Sequence, residues 1–292
     1  MSTTSASTNI TRVGVIGGGL MGSGIAEVCA RNGADVVITE LNATYAAAAG
    51  KRIDGSLARA VKSGKIGTDD ADRTRSRIRV AIGLEDQADR DLVIEAATED
   101  EGLKLKVFAE LDRVVCGRSA ILASNTSSIP IAKLAAATTR PENIIGIHFF
   151  NPAPVQQLVE VIPALLTGSD TVDRVVNFIT EVVGKRVVQA KDRAGFVVNA
   201  LLVPFMLSAI RMLEAGHATA EDIDMGMVLG CSHPMGPLRL ADLAGLDTAK
   251  AAAESMYREY GEPQYAPPAL LSRMVESGLL GRKTGRGFYI YD

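Results

Sequence analysis

The chain has 292 residues, of which 47% are hydrophobic and 22% charged, and a formal net charge of −3; that is room for one or two domains with an ample core, and the weak charge gives no reason to expect a nucleic-acid partner. No uninterrupted apolar run reaches membrane-spanning length, since the nearest, residues 196–210, contains Asn199, Pro204 and Ser208. Cys29, Cys116 and Cys231 share no metal spacing, so no metal is expected, and free buried thiols in a reducing, cytoplasmic setting are the simplest reading.

Residues 1–10 are rich in Ser and Thr, with neither a basic start nor an apolar core segment, and are expected to be a disordered terminus. Residues 11–16 form a short β-branched run, a buried strand by pattern. Gly17, Gly18, Gly19, Leu20, Met21 and Gly22 follow, then a helical run over 25–32 stopped by Gly33. Residues 35–39 read as a second strand ending in Glu40. Gly17, Gly19 and Gly22 satisfy G-x-G-x-x-G in the context of strand, turn and helix, and Glu40 falls about 20 residues on. The pattern points to a dinucleotide held at a helix N-terminus. Glu40 would bond ribose hydroxyls and repel a 2′-phosphate, which favours NAD over NADP. An empty α/β sheet with a tight turn is the plainer alternative.

Residues 42–63 look like a long helix. Arg52, Ser56, Arg59 and Ser63 share one face, with Lys62 and Lys65 at its end. The face suits a phosphorylated ligand, and it equally describes an ordinary solvated surface. Residues 68–77 read as a loop or helix start, and 78–82 as a third strand. A fourth strand over 91–96 runs into Glu99, and an amphipathic helix covers 103–115. A fifth strand over 120–123 runs into Ser124, Asn125, Thr126, Ser127 and Ser128. Small polar groups there either bind a ligand or cap the helix that starts near Pro130.

The run over 144–149 is apolar and delivers His148 to the carboxyl edge of the sheet before Asn151 and Pro152 break the strand. The chain has only three histidines, so a base working near neutral pH has few candidates. Glu160 interrupts an apolar strand over 158–162. A carboxylate there is costly to bury without a partner, and His148 on the neighbouring strand is one. A satisfied core histidine and an exposed edge glutamate are the bland readings of the pair. A helix over 172–183 and a strand over 185–189 follow. Beyond about residue 190 the pattern turns helical. A long apolar helix spans 196–214, Thr219 opens the next with a capping-box-like pattern, and 246–260 and 269–276 are further helices. The fold class is therefore a Rossmann-type α/β domain over 11–190 followed by an all-α domain over 191–292. The apolar helix suggests a subunit interface.

Together these stretches resemble the 3-hydroxyacyl-CoA dehydrogenase family, near its stand-alone 3-hydroxybutyryl-CoA branch. The resemblance runs from about Arg12 to Tyr291. It rests on VGVIGGGLMGSG over 13–24, ASNTSS over 123–128, HFFNP over 148–152 with VEV over 159–161, GFVVN over 195–199, HPMGP over 233–237 and KTGRGFY over 283–289. It implies a homodimer, NAD as cofactor and an acyl-CoA substrate. It implies His148 as the base that takes the 3-hydroxyl proton of a (3S)-3-hydroxyacyl-CoA, Glu160 as its orienting partner, and Ser127 and Asn199 as substrate contacts. NAD contacts map onto the Gly17–Gly22 turn, Glu40, Glu99, Lys106, Ser127, Asn151 and Lys283. CoA contacts map onto Ser56 and onto Lys62 or Ser63. Ala194 replaces the family's usual proline, which is expected to loosen the hinge between domains, and Ala200 stands where arginine is frequent. A related dehydrogenase of a non-CoA hydroxy acid, of the gulonate and lambda-crystallin kind, and a non-catalytic NAD-binding protein are the rival readings.

Overall fold

The computed structural model describes residues 10–291. The disorder expected over 1–10 lies outside the described residues except at Ile10, which is buried. The chain divides into two compact units, one ending at Asp192 and one beginning at Arg193.

The first unit alternates strands and helices: β1 (Arg12–Ile16), α1 (Leu20–Arg31), β2 (Asp35–Glu40), α2 (Ala43–Lys62), α3 (Thr68–Ser76), β3 (Ile78–Ile82), β4 (Leu92–Glu95), α4 (Glu101–Val114), β5 (Ile121–Ser124), α5 (Ile131–Ala136), β6 (Ile144–Phe149), β7 (Leu158–Pro163), α6 (Ser169–Asn177) and β8 (Arg186–Gln189). The eight strands form one sheet in the order β3-β2-β1-β4-β5-β6-β7-β8. Strands β1 to β6 are mutually parallel, β7 runs antiparallel to β6, and β8 is parallel to β7. The strand order reverses on either side of β1, so a crevice opens at the carboxyl ends of β1 and β4, the usual ligand position in such sheets. Val13, Val15, Ile38, Ile94, Ile121 and Ile147 are fully buried in the core that carries these strand ends.

Helix α1 begins at Leu20, five residues earlier than the pattern suggests. Gly22 and Gly24 lower local helix propensity, but packing requires them. A Cβ on Gly22 would lie 1.8 Å from the Gly17 carbonyl oxygen, and one on Gly24 would lie 3.1 Å from Pro154 Cδ. The stretch after Thr68 forms a full helix, with Asp69 and Asp70 in its first turn and Arg73 and Arg75 in its last, matching the helix dipole. Helix α6 is extended by a π turn over Phe178–Val182. Of the three thiols only Cys29 is buried; Cys116 and Cys231 are exposed, against expectation.

The second unit contains α7 (Val198–Glu214), α8 (Ala220–Cys231), α9 (Pro237–Ala244), α10 (Leu246–Tyr260) and α11 (Ala269–Glu276). Thr219 caps α8 by accepting from the Asp222 N–H at 3.1 Å. Helix α9 has no counterpart in the sequence reading. Its short apolar face follows a Pro/Gly turn, and it is set by buried Asp224, which accepts from the N–H groups of Leu238 at 2.8 Å and Arg239 at 2.9 Å. Buried Asp242 anchors the C-terminal stretch in the same way, accepting from Phe288 and Tyr289 N–H at 3.0 Å each. No helix among the described residues is long and apolar enough to cross a membrane.

Candidate active site

The glycine turn after β1 leaves room for a ligand backbone. Gly17 has φ +90°, a left-handed conformation that only glycine adopts freely. Gly22 brings α1 against the turn. A Cβ on Gly19 would meet nothing within 4 Å, so the turn keeps open space where a pyrophosphate approaches. Glu40, at the end of β2, accepts from the Gly18 N–H through Oε1 at 2.7 Å. Arg52 of α2 donates to the Gly18 carbonyl at 3.2 Å. The open cradle, the helix N-terminus and the carboxylate fit a dinucleotide with free ribose hydroxyls. The basic face of α2 divides on inspection. Arg52 turns to the glycine loop, Ser56 is half-buried, Lys62 is exposed, and the exposed Ser63 hydroxyl bonds back to the Ala60 carbonyl at 3.1 Å.

At the next strand ends a buried polar network supports the serine-rich loop. Lys104 of α4 is 1% exposed, and its ammonium contacts Glu95 Oε1 at 2.6 Å and Glu99 Oε2 at 3.3 Å. Glu95, fully buried, also accepts from the Ala97 N–H at 2.7 Å and the Ser124 hydroxyl at 2.6 Å. Glu99 Oε1 accepts from the Ser127 N–H at 3.0 Å, the Ser128 N–H at 3.2 Å, the Ser128 hydroxyl at 2.9 Å and the Thr126 hydroxyl. Burial alone would raise the Glu99 carboxyl. Lys104 and the hydrogen bonds from Thr126, Ser128 and Ser127 outweigh it and hold the group below the usual carboxylate range. Glu99 is therefore the post around which the Ser127 loop is wound. Lys106, the expected cofactor contact, is exposed two residues from buried Lys104. Pattern reading missed Lys104, and it took Glu95 and Ser124 only as polar groups at strand ends, not as partners of each other. The one available signal was the helical register, which puts Lys104 on the Phe108 and Leu111 side of α4.

The serine-rich loop does not cap α5. Asp192 does so from 61 residues away, accepting from Ile131 N–H at 2.8 Å and Ala132 N–H at 2.7 Å. The loop is tied instead to the next strand, where Asn125 Oδ1 accepts from the Phe149 N–H at 2.8 Å. Asn151 is exposed just past the end of β6.

His148 and Glu160 face each other across the antiparallel β6–β7 pair. Their register brings His148 Nδ1 to 2.8 Å from Glu160 Oε2, with the two residues 7% and 0% exposed. A carboxylate accepts only, so Nδ1 carries the hydrogen and Nε2 is the basic nitrogen. The Phe150 ring lies 4.6 Å from the imidazole centroid to centroid. The glutamate is buried, so it is not an exposed edge residue, and its partner is the histidine. The arrangement holds an imidazole in one tautomer, with Nε2 left as the nitrogen able to accept a proton.

Asn199, in the first turn of α7, and Lys283 belong to the second unit. Asn199 is half-buried there, and the Lys283 ammonium contacts both Asp247 carboxylate oxygens at 2.6 and 2.7 Å. Ala194 is not loosely held. Its N–H donates to Glu259 Oε2 at 2.9 Å, and its carbonyl accepts from the Tyr260 hydroxyl at 3.0 Å. A proline could not make the first bond. Ala200 sits in the α7 start, its N–H on the Gly195 carbonyl at 2.9 Å.

The model of the 3-hydroxyacyl-CoA dehydrogenase NAD binding domain matches residues 12–193, and that of the family's C-terminal domain matches residues 195–291. A 3-hydroxybutyryl-CoA dehydrogenase of Mycobacterium tuberculosis is 56% identical over 282 residues, covering 97% of this chain and 99% of the relative. The crystal structure of FadB2 from the same organism superposes with a TM-score of 0.96 at 56% identity, covering 97% of this chain and 100% of that one. The structure of (S)-3-hydroxybutyryl-CoA dehydrogenase from Ralstonia eutropha gives 0.92 at 44% identity, with coverage of 97% and 100%.

Proposed function

The chain belongs to the 3-hydroxyacyl-CoA dehydrogenase family, and from that premise we propose how its residues carry out NAD-dependent, reversible oxidation of a (3S)-3-hydroxyacyl-CoA to the 3-oxoacyl-CoA. The short-chain substrate 3-hydroxybutyryl-CoA is the one we assign. The observation that carries the reading is the buried 2.8 Å contact between His148 Nδ1 and Glu160 at the edge of the nucleotide crevice. A secondary alcohol does not release its proton near neutral pH, so a positioned base must take it as the C–H bond breaks. His148 Nε2 takes that proton. Glu160 fixes the tautomer and stabilises the imidazolium that forms. NAD, when bound, supplies the hydride acceptor. In reverse, His148 protonates the oxygen of the 3-oxo substrate.

The remaining assignments rest on motif matches. Ser127, whose backbone Glu99 positions, and Asn199 bind the substrate oxygens. Glu40, Glu99, Lys106, Ser127, Asn151, Lys283 and the 17–22 turn serve the cofactor, and Ser56 with Lys62 or Ser63 serves CoA. The second unit, proposed as the substrate and dimerisation domain, exposes Leu201 of α7 and Leu229 of α8 at 73% and 76%, which supports a homodimer. The free thiols favour a cytoplasmic location. The intact dyad argues against a non-catalytic NAD-binding role.

Acetoacetyl-CoA-dependent NADH oxidation tests the reading. His148→Ala should lose roughly 10²–10⁴-fold in turnover, and Glu160→Gln should lower kcat more than it raises KM. Activity on free acetoacetate equal to that on its CoA ester would reject the thioester assignment in favour of a non-CoA hydroxy acid.

A further inference from the structure

At the C-terminal end of α1 lies a cavity of about 360 Å³, walled by α1, α3 and the segments that precede β7 and β8. It is about 17 Å along the α1 axis from the start of that helix at the glycine turn, so it is separate from the nucleotide site. Four cations line it: Arg31, Arg73, Arg77 and Lys185. Asp70, the one acid in the wall, pairs with Arg73. Glu27 lies 3.5 Å from Arg31, and its carboxylate is buried without a hydrogen bond among the described residues. Two acids thus answer two arginines. Arg77 donates to the Ala30 carbonyl at 3.2 Å, and Lys185 to the Gln156 carbonyl; neither forms an ion pair among the described residues.

Lys185 is the informative group. It is 6% exposed, and among the described residues its three-donor ammonium has that single carbonyl partner. Burying an ammonium with neither full hydration nor a counter-charge is unfavourable, and a bound anion offsets that cost. We propose that this cavity binds a phosphate-class oxyanion, free or carried on a small metabolite, with Lys185 and Arg77 as its principal ligands. Burial first, and the charge of Arg31 second, lower the Lys185 ammonium from its ordinary lysine value, the behaviour of a cation short of negative neighbours. Pro154 and Gln157 also line the cavity. They belong to the segment that joins the strands of His148 and Glu160, so an occupant is placed to steady that segment without touching the reaction.

The experiment uses the full chain with NAD at saturation, which removes the cofactor's phosphate site from the comparison. Orthophosphate and a small phosphomonoester are titrated separately, with sodium chloride at matched ionic strength as control. Thermal unfolding and amide exchange over residues 152–158 are read. The expected result is a saturable rise in Tm and slower exchange, with both responses absent in Lys185→Met and weakened at least tenfold in affinity in Arg77→Gln. A response to both probes identifies free phosphate as sufficient, and a response to the ester alone identifies a metabolite. Lys185→Met should also unfold no earlier than wild type without phosphate, since it removes an unpaired buried charge; should it fail to fold, Arg77→Gln carries the test. A phosphate response no larger than that of chloride, or one that persists in the variants, overturns the proposal.

Discussion

Replacing Lys104 with methionine isolates the buried network beneath the Ser127 loop. Methionine keeps most of the side chain's length and volume but removes the charge, leaving fully buried Glu95 without its 2.6 Å cation and Glu99 without its 3.3 Å one. Breaking a buried ion pair from one side costs roughly 3–5 kcal/mol. Glu95 keeps its bonds from the Ala97 N–H and the Ser124 hydroxyl, so the lower end, about 3 kcal/mol, is the working figure. For a unit of this size that lowers Tm by roughly 6–12 °C. Glu95→Gln in the Lys104→Met background removes the stranded charge, and the Ser124 hydroxyl can rotate to accept from the new amide. The double variant should therefore regain about 2 kcal/mol of that loss. Urea unfolding followed by circular dichroism measures both. A single variant within about 1 kcal/mol of wild type, or a double variant no more stable than the single, refutes the account of Lys104 as the counter-charge. Because Glu99 holds the Ser127 and Ser128 N–H groups, kcat/KM should fall along with stability in the single variant.

Other outcomes follow from the same geometry. Gly19→Ala should fold like wild type, because its Cβ meets nothing within 4 Å, yet lose at least about tenfold in NAD affinity as the methyl enters the pyrophosphate path; unchanged NAD binding by calorimetry would show that the cradle is not the cofactor's. Gly22→Ala, with a Cβ 1.8 Å from the Gly17 carbonyl oxygen, should lose both stability and NAD binding, and a wild-type Tm would contradict that geometry. Ala194→Pro removes the 2.9 Å bond to Glu259 and should destabilise the second unit by roughly 1.5–3 kcal/mol, even though proline is the family's usual residue there; a raised Tm would disprove it. Glu99, Asp91 and Asp112 are all held below the usual carboxylate range. In each, burial pushes upward and is outweighed, by Lys104 and loop hydrogen bonds, by Arg12 and Thr11, and by Thr139 and Arg140 respectively. The unfolded chain then binds protons at higher pH than the native one, so their stabilisation is complete above the unfolded values and is lost as pH falls below about 4. Asp112→Asn should flatten that acid limb, and an unchanged slope in pH-dependent unfolding would contradict the assignment.

Much of the nucleotide half of the site was legible because its signals are local. A glycine turn, a strand end and Glu40 lie within one βαβ unit, and Gly17 and Gly22 have steric duties set by close neighbours. The dyad was legible as a pairing of types, since a carboxylate in an apolar strand asks for a partner and few histidines were available. Its alignment, His148 directly opposite Glu160, depended on β7 running antiparallel to β6, where the sheet reverses direction after six parallel strands. Lys106 and Lys104 show the opposite case. They lie two residues apart on one helix; the register hints at which is buried, and only the packing of α4 shows that its partners there are carboxylates.

The sequence by itself determined the alternation of strands and helices, the change to an all-helical pattern near residue 190 and the identity of the groups able to do chemistry. Backbone period, turn residues and side-chain ionisation are properties of short stretches. The tertiary structure alone decided which polar groups serve each other: Asp192 at the start of α5, Asp224 and Asp242 beneath α9 and the C-terminal stretch, Lys104 between two glutamates, and Glu259 on the N–H that alanine brings to position 194. Apart from Lys104, those partners are separated by many residues, and a buried carboxylate accepts from whatever donor the packing of the core brings within reach.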